Sequence, residues 1–289
     1  MIEFFRAMAS NPLLASGLVA GLLAGVACGV VGPYVITRRI VFLSGAIAHM
    51  AVGGIGAAVF LAAMLPGPVG SGEPLHRAMV FAGALVAALT GAVLIGYVHQ
   101  RAAERIDTLI GALWAIGMAM GILLIKFTPG YQTELMSYFF GNIALISWGD
   151  VWLMLVLDGI ILAAVLVFHK RLLAICLDQE QAELQGINVL WTNIMLLCLV
   201  ALTVICLAQV VGLILVIALL SLPAATAAHH VTRMTSLCLV STLLCAALAT
   251  LPRMAVYGTR IDPQSAIVLS AAAVYLLSVL TRRFLGRFR

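Results

Sequence analysis

Two ionisable side chains fall in the middle of long apolar runs, His49 and Asp158. His49 lies nine residues into a segment beginning near Ile40, and Asp158 ten residues into one beginning at Trp148. At 1.5 Å of rise per residue, a helix would carry His49 about 13–14 Å deep, close to the middle of a bilayer, with Asp158 at a similar depth. Polar groups there are costly in hydrocarbon, so each calls for a role. Neutral imidazole binds transition metals and titrates near neutral pH, which suits His49 to pass a divalent metal cation; the alternative is a hydrogen bond that fixes helix packing. For Asp158, a packing carboxyl is as compatible with the sequence as a place on a cation path. The methionines of Met118–Met120 read as core filler rather than as soft-metal ligands. The remaining histidines stand at segment ends or in loops: His76 on one side, and His99, His169, His229 and His230 on the other.

These residues must be positioned by membrane helices. Of 289 residues, 64% are hydrophobic and 9% charged, against roughly 25% charged in a soluble domain. That composition excludes a water-soluble enzyme or binding module and leaves little chain for a globular domain. Breaks between the apolar runs predict nine spans: Leu13–Val35, Ile40–Leu65, Ala78–Val98, Thr108–Phe127, Trp148–Phe168, Trp191–Ala208, Val210–Ala227, Leu237–Leu251 and Ser265–Leu280. The first is too long for a signal-peptide core and has no small-residue cleavage pattern after it, so it reads as a retained span. Thr128–Ser147 is mixed in character and predicts a short re-entrant or interfacial helix around Leu135–Gly141. No linker separates domains, so residues 1–289 read as one transmembrane domain.

The net charge of +5 is unevenly distributed. One set of alternate loops holds eleven of the 16 basic residues (Arg38, Arg39, Arg101, Arg105, Lys170, Arg171, Arg233, Arg282, Arg283, Arg287 and Arg289). The other set holds Arg6, Arg77, Arg253 and Arg260, with Lys126 near a span end. Cytoplasmic loops carry the basic excess, which predicts an external N-terminus and a cytoplasmic C-terminus. Gly17, Gly21, Gly25 and Gly29 are spaced four apart, a stripe that lets helix backbones approach in lipid. Gly53, Gly54 and Gly56, and Gly117 with Gly121, read the same way. The six cysteines form no C-x-x-C pair and suggest neither a disulfide framework nor a redox site.

Missing motifs narrow the chemistry. Neither of the two lysines, Lys126 and Lys170, stands in a phosphate-binding G-x-x-x-x-G-K-[ST] loop, so the chain has no P-loop of its own. It has no H-E-x-x-H and no G-x-S-x-G. Two loops on the basic side stand out, Arg171–Val189 and the stretch after Pro223. A proline late in an apolar helix predicts a break there, followed by a short polar helix able to dock a partner.

Five segments in order resemble the permease subunits of zinc-, manganese- and iron-type ABC importers. They are RRIVFLSGAIAHMAVGGIG (Arg38–Gly56), IDTLIGALWAIGMAMGILL (Ile106–Leu124), ELMSYFFGNI (Glu134–Ile143), AELQGINV, and VGLILVIALLSLPAATA (Val211–Ala227). The resemblance implies an all-α polytopic membrane protein of about nine transmembrane helices, related to vitamin-B12-type permeases and placed in a bacterial plasma membrane. It implies a homodimer driven by two cytoplasmic ATP-binding subunits and fed by an extracytoplasmic metal-binding protein. The chain would carry zinc, manganese or iron as cargo and perform no covalent chemistry itself. By the same resemblance, Thr226–Ser236 (with Thr226, His229, His230 and Arg233) is the first candidate for docking the ATPase. The loop Asp178–Gly186, with Glu180, is the second. Many relatives place an Asp four residues before the span-two His; here that position is Gly45. The missing carboxylate leans the expectation towards zinc, which favours imidazole. A stand-alone ion-coupled carrier or channel, using His49 and Asp158 as a proton or cation relay, is the alternative from another class.

Overall fold

In hydrocarbon a backbone must satisfy its own hydrogen bonds, so apolar runs of this length become helices. A computed structural model describes residues 12–64, 74–101, 106–128, 146–259 and 261–285. Those residues form ten helices: α1 (Pro12–Thr37), α2 (Val41–Met64), α3 (Pro74–Arg101), α4 (Ile106–Lys126), α5 (Trp148–Leu177), α6 (Gln179–Leu184), α7 (Val189–Val211), α8 (Leu213–Ala228), α9 (Met234–Ala255) and α10 (Pro263–Leu285). Eight are long and apolar enough to cross a bilayer. The remaining expected span, α8, has 16 residues and so reaches only about 24 Å. The expected helix around Leu135–Gly141 lies outside the described residues.

Local chemistry sets the helix ends. Ser147 caps α5 by accepting from the Asp150 backbone N–H, and Asp150 accepts in return from the Ser147 N–H at 2.9 Å, a capping box. Asn188 caps α7 through the Trp191 N–H at 3.1 Å. Gly212 is the single residue between α7 and α8, at φ +82° and ψ 155°, a conformation essentially confined to glycine.

The break expected at Pro223 does not occur. Pro223 sits inside α8, which runs on to Ala228, and no helix intervenes before α9 begins at Met234. Pro223 has no N–H for the Leu219 carbonyl, and the Cys245 thiol of α9 donates to that oxygen instead, at 3.3 Å. The helix therefore continues because a neighbour satisfies the freed group.

Helix α2 packs between α3 and α4 and also meets α7, while α1 lies along α9 and touches α8, α5 and α7. Of the most apolar stretch of α7, 72% is buried inside the bundle, against 17% for α10, which places α7 centrally and α10 at the margin. The first-span glycine stripe does the packing work expected of it. Gly17, Gly21, Gly25 and Gly29 face Arg253, Ala249, Ala246 and Thr242 of α9 in turn. A Cβ on Gly25 would stand 2.7 Å from the Ala246 nitrogen, and one on Gly29 would fall on the Thr242 backbone.

The α1–α2 turn is tied to distant chain by Arg38. Its guanidinium donates to the Ile175 carbonyl at the end of α5 (3.0 Å) and to Asn193 Oδ1 at the start of α7 (3.2 Å). With its amide oxygen turned to Arg38, Gln179 of α6 accepts from Nη1 at 2.9 Å. Four elements therefore meet on one fork of donors. Hydrogen bonds from a charged donor are worth about 1.5–3 kcal/mol. Arg38→Ala should lower unfolding stability in detergent by about that amount, and Arg38→Lys should recover only part of it, because an ammonium lacks the planar fork. A denaturant or thermal titration in which Arg38→Ala matches the parent would show that the ties contribute nothing.

Candidate functional site

The site around His49 is built by the crossing of α2 and α4. Glycines on both helices permit it: a Cβ on Gly117 would lie 2.7 Å from the His49 carbonyl oxygen, and one on Gly53 2.9 Å from the Gly117 oxygen. Close approach at this level brings Trp114 and Met118, one helical turn apart on α4, onto the His49 side chain. The Trp114 and His49 rings stack with centroids 4.6 Å apart at 25°. Met118 Sδ lies 3.2 Å from His49 Nδ1. In one imidazole tautomer that nitrogen donates to the sulfur, and in the other it offers a lone pair. His49 is half-buried.

Gly45, one turn before His49, is covered by the same indole. A Cβ there would stand 2.6 Å from Trp114 Cζ3. The place where the resemblance would put a carboxylate is therefore filled by an aromatic ring. The missing Asp is legible in the sequence; the tryptophan that takes its space is not.

Asp158 is buried, 6% exposed. The Cys206 thiol of α7 donates to its Oδ1 at 3.9 Å, and its Oδ2 has no hydrogen-bond partner among the described residues. It lies on α5, which packs against α1 and α7, whereas the stacking and sulfur partners of His49 lie on α4. The two midplane residues are thus set in different parts of the bundle. Among the described residues, no three His, Cys, Asp or Glu side chains come together as a metal cage would need.

The two loops considered for docking differ sharply. Thr226 is buried, 5% exposed, and its hydroxyl donates to the Leu222 carbonyl at 2.8 Å. His229 and His230 both reach Ser278 Oγ of α10, at 2.8 and 3.1 Å, and His229 stacks on Tyr275. Partial burial, then the nearby positive charges of Arg282 and His230, hold the His229 pKa below its ordinary value. Arg233, exposed, precedes α9 as its N-cap residue. The Asp178–Gly186 segment is more open. Asp178 caps α6, accepting from the Glu180 and Gln181 N–H groups at 2.9 and 3.3 Å, and Gly186 ends the segment at φ +79°. Ala182 anchors α6 inward at 1% exposure, while Leu177 (76%) and Leu184 (89%) project outward. A groove of about 220 Å³ beside α6 is lined by Lys170, Leu177, Gln181 and Gln185, among others.

Known proteins resemble this chain in sequence and in fold. A "probable metal transport system membrane protein" of Chlamydia trachomatis is 34% identical over 94% of this chain and 90% of its own length. A manganese transport system membrane protein of Halalkalibacterium halodurans is 30% identical over 98% and 95% respectively. The solved structure of PsaBC from Streptococcus pneumoniae superposes with a TM-score of 0.84 at 28% identity, with both chains fully covered. An inward-facing metal-chelate type ABC transporter shares the fold, with a TM-score of 0.71 at 16% identity, over 93% of this chain and 86% of that one. The model of the ABC 3 transport family matches residues 10–282. With eight apolar helices and a family match across nearly its whole length, this multi-pass membrane protein belongs to the ABC 3 transport family.

Proposed function

We infer that the chain is the permease subunit of an ATP-driven importer for a divalent transition metal, zinc before manganese or iron. It works as a pair of copies beneath an external metal-binding protein and above two ATP-binding subunits. Family membership and the names of the relatives support metal transport. The observation that carries the choice of metal is the ring of Trp114 over Gly45, which leaves imidazole without the neighbouring carboxylate that suits manganese. The manganese reading is favoured by the 30% identical relative named for that metal. Uptake by the complete transporter in liposomes, with zinc and manganese offered separately, decides between them. Zinc accumulation that requires ATP supports the inference; accumulation by this chain alone without ATP would return it to a stand-alone carrier.

The basic ends of the helices face the cytoplasm on the charge asymmetry, so the N-terminus is external. Docking of the ATPase is assigned to α6 and its flanks, ahead of the stretch after Thr226. Leu184 is nearly fully exposed, whereas His229 and His230 are already engaged with α10. Docking there would take the exposed Leu184 side chain out of water. Leu184→Asp should weaken copurification of the ATP-binding subunit about tenfold or more, and His229→Glu with Arg233→Glu should weaken it less. The reverse ranking would restore the later segment to first place.

A further inference from the structure

We propose that Met118 is a second donor to the cation that passes His49, giving each copy a nitrogen–sulfur pair that favours zinc over the harder manganese ion. The proposal rests on the reading of His49 as a pathway residue and adds the residue that would set its preference. Met118 stands in a methionine-containing run that sequence alone treats as filler. The fold removes it from that class, because α4 turns its sulfur onto the imidazole of a residue 69 positions away.

Three observations converge. The first is distance. With metal–nitrogen bonds of about 2.0–2.1 Å and a metal–sulfur bond at least as long as the thiolate value of about 2.3 Å, two donors on one ion stand at least about 3.1 Å apart at a right angle and about 3.6 Å apart at the tetrahedral angle. Nδ1 and Sδ are 3.2 Å apart, near the right-angle value, so opening by a few tenths of an ångström at the flexible Met118 side chain brings them to the tetrahedral spacing. The second is orientation. Trp114 stacks on the imidazole with its plane at 25° to the indole, and within that plane Nδ1 is turned to the sulfur. The third is what the same indole excludes. By covering Gly45 it denies the site an oxygen donor from that position. Imidazole and thioether suit zinc, copper and iron, whereas manganese prefers carboxylate, carbonyl and water. Neither His49 nor Met118 is sealed in the core, since both are half-buried.

Packing is the competing explanation, and leucine separates the two. Leucine conserves most of the methionine volume and is tolerated in cores at a cost under about 1.5 kcal/mol, but it has no lone pair. The complete transporter, with the same metal-binding protein throughout, is compared in liposomes for zinc and manganese uptake. Met118→Leu should lower zinc uptake more than manganese uptake, so that the zinc-to-manganese uptake ratio falls about tenfold. Met118→Cys, whose sulfur lies one bond nearer the backbone but binds zinc more strongly as a thiolate, should keep more of the parental ratio than Met118→Leu. X-ray absorption at the zinc edge of the purified transporter without its binding protein should show a sulfur neighbour that is lost in Met118→Leu and kept in Met118→Cys. An unchanged uptake ratio in Met118→Leu overturns the proposal, as does a ratio that Met118→Cys and Met118→Leu lower equally. If His49→Ala transports both metals at the parental rate, the pathway reading fails instead. If His49→Ala is inactive and Met118→Leu is indistinguishable from the parent, only the role of Met118 is lost.

Discussion

A transporter carrying His49→Ala is expected to lose metal uptake by a factor of about 100 or more while still assembling and still hydrolysing ATP. Changing even groups that support a metal ligand costs about 10–100-fold in metal affinity or activity, and with His49 on the pathway as proposed a donor itself is removed. Folding should tolerate the change. Alanine chiefly removes the stack with Trp114, and aromatic pairs contribute about 0.5–1.5 kcal/mol beyond their burial. His49→Gln is the sharper variant, because glutamine keeps hydrogen-bonding capacity near Met118 while binding transition metals poorly. Both variants are measured side by side for uptake in liposomes and for assembly by size-exclusion chromatography. Parental uptake by either, in an intact complex, would reduce His49 to a packing residue and remove the central support for metal passage at this level.

The largest effect on folding is expected at Gly29. Its α-carbon lies so close to α9 that any side chain meets the Thr242 backbone. Backbone cannot rotate away as a side chain would, so the helices must separate along their length. Overpacking a well-filled core costs about 1–3 kcal/mol and occasionally more, and in lipid close packing is itself a main source of helix association. Gly29→Leu should therefore give a chain that aggregates on extraction, with Gly29→Ala recovering folded protein of reduced melting temperature. Gly159 supplies the control: a Cβ there meets nothing within 4 Å, so Gly159→Ala should be silent. Equal melting temperatures for Gly29→Leu and the parent, measured in detergent by fluorescence-detected chromatography, would show that α1 and α9 are not held by this crossing.

Sequence periodicity reaches some of these features and not others. The apolar runs specify the helices because a bilayer leaves them no other way to satisfy their backbones. The spacing of Gly17, Gly21, Gly25 and Gly29 likewise announces a close crossing, though not that α9 is the partner. Pro223 misled the expectation because the compensating donor, Cys245, lies on another helix. The same limit hides the composition of the site. Trp114 and Met118 belong to an ordinary apolar run until the α2–α4 crossing sets them on His49. Asp158 looked equivalent to His49 by depth alone, yet lateral position in the bundle is invisible to hydropathy, and the structure pairs it with Cys206. The forked hydrogen bonds of Arg38 span 137 and 155 residues, a separation at which no local pattern carries information.

Helices α1 and α5 are joined near both of their ends. At one end the Ser16 hydroxyl donates to the Ile146 carbonyl at 2.7 Å; at the other, Tyr34 and His169 pair at 2.6 Å. Along α1 these pins are about 27 Å apart. Two pins at that separation oppose both tilting and sliding of one rod against the other, so the pair behaves as a strut. A transport cycle that opens first one mouth and then the other must find its hinge elsewhere. The α2–α4 crossing is no looser, because glycine backbones of both helices interlock there. The strut would then travel as one block.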